Sequence, residues 1–220
     1  MNIRDMAIVL PLASDDQLVS SAVLVSQKDG FPIFVSTLHQ LGASTNYKIA
    51  IPPHLGDISA SQRYPLQETA AIEIDLVKID PAHDLAIFKG RTTDFRAAFP
   101  KIHTQFNEIS VGEELVVVGY PYSTLGSFLE TAQITNVSAK GVRLFMDTLE
   151  IKELIISHQT LQGSSGSAVI RRSDGALCGI LRGTLAPPSV VSIGNIPLAS
   201  DTNVTYVTYS SILPNLLSTI

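Results

Sequence analysis

Roughly a dozen short apolar runs, each closed by turn residues, set the limits on what this chain can fold into. Met6–Leu12 and Ser21–Ser26 come first, and Lys28-Asp29-Gly30 then reads as a hairpin turn. Phe31–Ser36 and Tyr47–Ile51 follow. Ala70–Ile79 is close to period two, with Ile72, Ile74 and Leu76 set against Glu73 and Asp75. Leu85–Lys89, Leu115–Gly119, Gln133–Val137, Val142–Met146 and Leu154–Ser157 continue the series. Ala168–Arg171, Leu177–Leu181 and Val204–Tyr209 close it. Only Ser211–Ile220 reads as helical, with Pro214 near its start. No long helical pattern separates the runs, so βαβ units are excluded and sandwiches or barrels remain. The β pattern breaks around Lys101–Val111, which divides the chain into lobes at 1–108 and 109–220.

The bulk numbers narrow the partners. With 220 residues, 45% of them hydrophobic, the chain has ample material for a sizeable core. A net charge of -5 and a pI of about 5.5 leave no basic footprint for nucleic acid. No apolar window reaches membrane-spanning length free of charge or proline, so no membrane partner is expected. Cys178 is the single cysteine, which rules out an intrachain disulfide and favours a reducing, cytoplasmic setting, or a bacterial protein that does not rely on disulfides. The Met6–Ala13 stretch is too short, and too closely flanked by acids, to read as a secretion signal. His, Cys and acidic residues do not cluster at metal-ligand spacing, so neither metal nor cofactor is expected.

Three places carry chemistry. His39 follows the run Phe31–Ser36, Asp84 sits in Asp80-Pro81-Ala82-His83-Asp84-Leu85, and Ser165 lies in Gly163-Ser164-Ser165-Gly166-Ser167-Ala168. Small residues packed around a serine suit a tight loop whose backbone N–H groups can hold an oxyanion. An imidazole can take the hydroxyl proton near neutral pH, and a carboxylate can orient that imidazole. Taken singly, each residue has a plainer reading: a turn serine, a histidine at a strand end, an aspartate capping the turn after Pro81. His83 rivals Asp84, and strand alternation lets at most one of them face the cleft. His54 and His103 read as surface residues, His158 as structural and Cys178 as a buried thiol.

Order and spacing favour the chemical reading. Gly163–Ala168 resembles the Gly-Xaa-Ser-Gly-Gly-Pro loop of trypsin-like serine peptidases, and Asp84-Leu85-Ala86-Ile87-Phe88 their Asp-Leu-Ala-Leu-Leu segment. Ser36-Thr37-Leu38-His39 resembles their Thr-Ala-Ala-His, and the chain order His, Asp, Ser is theirs. Val116–Pro121, Gly175–Ile180 and Tyr206–Tyr209 are similar to segments of HtrA-like members, and 220 residues leave no room for an appended PDZ domain. The resemblance implies an all-β fold of two six-stranded antiparallel barrels with a short C-terminal helix. His39 and Asp84 would come from the first barrel and Ser165 from the second. It implies a serine endopeptidase acting on polypeptides through an acyl-enzyme, with an oxyanion hole from Gly163 and Ser165. Leu181, Arg182 and Gly183 would line the substrate strand and pocket, and Gln159–Gln162, including Thr160 and Leu161, the opposing wall. Arg182 reads as a solvated rim residue, with recognition of acidic substrate groups as its alternative. Ser164, Ser167, Ala168 and Leu38 depart from the family pattern. Those departures leave two other readings open: a peptide-binding module without turnover, and an enzyme latent until a protein partner orders the loop.

Overall fold

The computed structural model describes residues 8–52, 61–62, 70–93, 98–123, 129–184, 191–193, 196–198 and 203–220. The run expected from Met6 is thus described from Ile8, and His54 lies outside the described residues. The first six strands are β1 (Ile8–Ser14), β2 (Gln17–Lys28), β3 (Phe31–Thr37), β4 (Tyr47–Ile51), β5 (Ala70–Asp80) and β6 (Leu85–Gly90). They close into a barrel in the order β1-β2-β3-β6-β5-β4, sealed by β1 against β4. A second barrel joins β7 (Glu114–Gly119), β8 (Thr131–Phe145), β9 (Leu149–Ile156), β10 (Ala168–Arg171), β11 (Leu177–Thr184) and β14 (Thr205–Tyr209). Its order is β10-β11-β14-β9-β8-β7, with β7 against β10 as the seam. A small hairpin, β12 (Val191–Ile193) with β13 (Ile196–Leu198), stands apart from both. The chain ends in α1 (Leu213–Ser218), with Pro214 in its first turn. The expected pair of antiparallel six-stranded barrels and the short terminal helix are present.

Burial on both faces explains the unbroken apolar runs. In β3, Phe34 points into the first barrel with Leu10, Leu24 and Phe88, while Ile33 and Val35 point outward. In β7, Leu115 and Val117 fill the second barrel, and Val116 and Val118 point outward. The outward residues meet in a shared core between the barrels, which Leu213 and Leu216 of α1 extend. The two expected runs Gln133–Val137 and Val142–Met146, the latter as far as Phe145, belong to one strand, β8, which continues for 15 residues through Ser138–Gly141. Gly141 pairs opposite Glu153, so the glycine is accommodated inside the ladder without starting a turn.

The segment after the first barrel packs on the second. Leu177 N–H donates to Lys101 O and its carbonyl accepts from His103 N–H, both at 2.8 Å. Phe106 and Ile109 join the second barrel's core, where Phe106 meets Tyr209 edge-on. His103 is therefore buried, against the sequence expectation of a surface position. Its Nδ1 lies 2.5 Å from the Tyr209 hydroxyl, and its carbonyl accepts from Ser210 Oγ. The surrounding strand ends exclude water, which no local sequence signal announces. Cys178 is buried in β11, and burial pushes its thiol up to about 12, which leaves it unreactive.

Burial pushes both His103 and His158 below the ordinary histidine range. The unfolded chain titrates at the ordinary value of about 6.5, so below that pH it binds more protons than the folded chain. This contribution to stability is complete above about pH 6.5 and declines as the pH falls. Glu130, raised by burial to about 7, acts with the opposite sign, so the test is a difference. We expect lowering the pH from 7.5 to 5.5 to depress the unfolding temperature of the wild type more than that of His158→Gln. Equal shifts in calorimetry would contradict this assignment.

Candidate active site

The antiparallel register of β3 and β6 decides where the first two residues fall. Thr37 pairs with Leu85 as the last pair of that ladder, so the residues leaving β3 lie beside those entering β6. Leu38 N–H donates to Asp84 O at 3.0 Å, and Leu38–Gln40 forms one 3-10 turn. His39 N–H then donates to Asp84 Oδ1 at 2.9 Å, and His39 Nδ1 lies 2.6 Å from Asp84 Oδ2. A carboxylate only accepts, so the proton sits on Nδ1 and Nε2 keeps its lone pair. Leu38, bulkier than the family's alanine, packs onto the first barrel's core without displacing the turn.

Asp84 and His83 do point apart, but not through strand alternation. Asp84 precedes β6 in a turn, with φ of 57°, a left-handed conformation that aspartate tolerates better than most residues. Asp80 Oδ1 accepts from the N–H groups of Ala82 and His83, and Asp80 Oδ2 holds His83 Nδ1 at 2.8 Å. Thr208 Oγ1 of the second barrel donates to His83 O at 2.9 Å. His83 thus locks the turn that aims Asp84.

Ser165 arrives from the second barrel. His39 Nε2 lies 3.2 Å from Ser165 Oγ, so His39 spans from Asp84 to Ser165. The hydroxyl also has Arg182 O within 3.1 Å as an acceptor. The loop carrying Ser165 is clamped from the first barrel by Ser21, which is fully buried on the outward face of β2 beside Val23 and Val25. Ser21 N–H donates to Ser165 O at 2.8 Å, and Ser21 Oγ donates to Gly163 O at 3.1 Å. The same oxygen accepts from Tyr120 N–H at 2.9 Å, and Ser36 Oγ donates to Ser21 O at 2.6 Å. Two glycines make this approach feasible. Gly166 has φ of 83°, and a side chain there would strike Ser21 O and Ser36 Oγ. Gly163 has φ of 93°, with Tyr120 O only 2.7 Å from where its Cβ would sit.

The departures from the family loop are absorbed locally. Ser164 is buried, and its Oγ accepts from Leu161 N–H at 3.1 Å, closing the 161–164 turn on itself. Ser167 occupies the family's glycine position, and the missing side chain of Gly119 supplies its room. The N–H groups of Gly163 and Ser165 have no hydrogen-bond partner among the described residues.

Of the other expected site residues, Leu181 is buried, and it anchors the loop through Gly166 N–H to Leu181 O and Leu181 N–H to Ser167 O. Gly183 and Thr184 pair with Tyr206 and Thr205 on one side only among the described residues. Thr160 meets Thr184 hydroxyl to hydroxyl across the space between the two walls, and Leu161 is exposed at the rim. Arg182 is half-buried and paired rather than freely solvated: its Nη1 donates to the buried Glu153 at 2.8 Å, and its guanidinium lies over Tyr206. Arg143 Nε donates to the same Glu153 oxygen at 2.9 Å, so that carboxylate is held twice. Sequence reading missed Ser21, Gln40 and Glu153. Ser21 carried a signal, a polar residue in the largely apolar β2; Glu153, beside Glu150 and Lys152, carried none, nor did Gln40 beyond its place next to His39. Among the described residues, no group of three or more His, Cys, Asp or Glu could hold a metal ion.

The model of the trypsin-like peptidase domain matches residues 14–180, a span that contains His39, Asp84 and Ser165. The chain belongs to the trypsin-like peptidase family. A comparison with curated proteins finds no match. Among solved structures, it is similar to the Rv3671c protease in its inactive form, with a TM-score of 0.66 and 16% identity over 98% of this chain and 90% of that one. The active form of that protease, from M. tuberculosis, matches with a TM-score of 0.66 and 17% identity over 97% and 81%. The HtrA-type protease AlgW with tripeptide matches with a TM-score of 0.66 and 18% identity over 99% and 61%. At these identities the likeness is one of fold. In this chain Ser21 holds the loop that carries Ser165. We expect Ser21→Ala to destabilise the protein by about 1–3 kcal/mol, since it strands the Gly163 carbonyl and the Tyr120 N–H. Urea unfolding measures this, and a change below about 0.5 kcal/mol would show that the clamp carries little.

Proposed function

We propose that the protein is a serine endopeptidase in which Ser165 is the nucleophile, His39 the general base and Asp84 the group that orients His39. The observation that carries this reading is the bridge made by His39, 2.6 Å from Asp84 on one side and 3.2 Å from Ser165 on the other. In acylation, Ser165 Oγ attacks the peptide carbonyl while its proton passes to His39 Nε2. Asp84 stabilises the imidazolium so formed. The unengaged N–H groups of Gly163 and Ser165 supply the oxyanion donors. The imidazolium protonates the leaving amine, and water, deprotonated by His39, then releases the acyl group from Ser165.

The one-sided edge at Gly183–Thr184 suits an extended polypeptide, which would add as a strand. The charge of Arg182 is spent on Glu153, which argues against a role for it in attracting acidic substrates. The Ser21 clamp supports a loop that is set in the free chain, without an activating protein, and so favours turnover over binding alone. We place the enzyme in a reducing compartment such as the cytoplasm, since its one thiol is buried and no disulfide is required.

We expect a fluorophosphonate to label wild-type protein at Ser165 and Ser165→Ala to lose both labelling and hydrolysis while keeping its fold. We expect Asp84→Asn to lower kcat by about 10⁴-fold, because the amide no longer fixes the Nδ1–H tautomer. Wild-type protein that neither labels nor cleaves would overturn the peptidase reading.

A further inference from the structure

We propose that Gln40 is a resting latch on the nucleophile, a positioning residue that holds the proton acceptor of His39 until substrate displaces it. This rests on the peptidase reading given above. Gln40 is the last residue of the 3-10 turn that carries His39, and its side chain reaches back over the turn. The side-chain nitrogen lies 2.9 Å from His39 Nε2 and 3.3 Å from Ser165 Oγ. With the His39 proton on Nδ1, Nε2 offers a single lone pair, so the edge of the amide that meets it must be the NH2 group.

That lone pair has two suitors. The Gln40 N–H stands at 2.9 Å and the Ser165 hydroxyl at 3.2 Å, and one sp² lone pair accepts one well-directed hydrogen bond. The hydroxyl proton has another acceptor, the Arg182 carbonyl, at 3.1 Å. A self-consistent resting network follows. One Gln40 N–H goes to His39 Nε2, the other goes to a lone pair of Ser165 Oγ, and the Ser165 proton goes to Arg182 O. Every group is satisfied, and the proton that acylation must move points away from its base.

Acylation is incompatible with this network. Proton transfer puts a hydrogen on His39 Nε2, and an amide NH2 facing that N–H would set donor against donor. Gln40 must rotate out or turn its carbonyl oxygen inward before the step completes. Breaking these contacts adds to the barrier, so removing the amide speeds acylation. A residue that merely supported the turn would slow the reaction or leave it unchanged when removed.

The test compares second-order labelling of the purified full chain by a small fluorophosphonate in wild type, Gln40→Met, Gln40→Ala and Ser165→Ala, with kcat/KM on a cleaved peptide alongside. Met keeps the length of the side chain and removes the donor, and Ala removes both. We expect both Gln40 variants to label Ser165 roughly two- to tenfold faster than wild type, the range spanned by a neutral hydrogen bond. We expect kcat/KM to rise with labelling and the thermal unfolding transitions to stay in place. Labelling of wild type with no gain in Gln40→Met overturns the latch alone, including the case in which only Gln40→Ala gains, because bulk would then be the obstacle. Absence of labelling in every chain overturns the peptidase reading beneath it.

Discussion

Ser21 joins the two barrels at the point where the loop bearing Ser165 must be folded. Its amide and its hydroxyl both serve that loop, one at Ser165 O and the other at Gly163 O. The surrounding apolar residues, Val23, Val25 and Val35 against Val116, Val118 and Ala168, hold the barrels together without fixing direction. Burial of such a surface is non-directional, whereas the bonds of Ser21 fix a register between barrels. A shift of one barrel on the other would strand a fully buried hydroxyl and two carbonyls, a cost that apolar packing alone does not impose. Gly166 and Gly163 are the steric complement of this arrangement, because their missing side chains let the loop lie directly on Ser21 and Tyr120.

The site divides along the same line. His39 and Asp84 are placed by one ladder within the first barrel, where the Thr37–Leu85 pair makes their neighbourhood a consequence of register. Ser165 is placed by the Ser21 clamp across the interface. The distance from His39 to Ser165 therefore reports how the barrels are docked, while the distance from His39 to Asp84 reports the first barrel alone. The proposed chemistry needs both constraints, the ladder within the first barrel and the hydrogen bonds between lobes.

Much of this was legible in the sequence. The short runs with turn residues between them limited the fold to sandwiches or barrels, and the resemblance to trypsin-like peptidases supplied the pair of barrels and the three candidate site residues in their order. The parts that were not legible share a cause. Ser138–Gly141 separated two apolar runs, but pairing with β9 carries one strand through it. His103 looked exposed because the bond between its N–H and Leu177 O links distant parts of the chain. Arg182 looked solvated because its partner Glu153 lies on another strand, β9. Ser21 only opened the run Ser21–Ser26 in the sequence, and the opposing loop is what gives its hydroxyl partners. In each case a long-range partner overrode a sound local reading.

The central claim is that a loop already set by Ser21 leaves Ser165 able to form an acyl-enzyme in the free chain. Stopped-flow mixing of purified protein with p-nitrophenyl acetate, with no other protein present, measures this directly. The account predicts a burst of p-nitrophenol approaching one equivalent per chain in the wild type, and none in Ser165→Ala. A linear trace without a burst at saturating ester, with the fold intact, would contradict it.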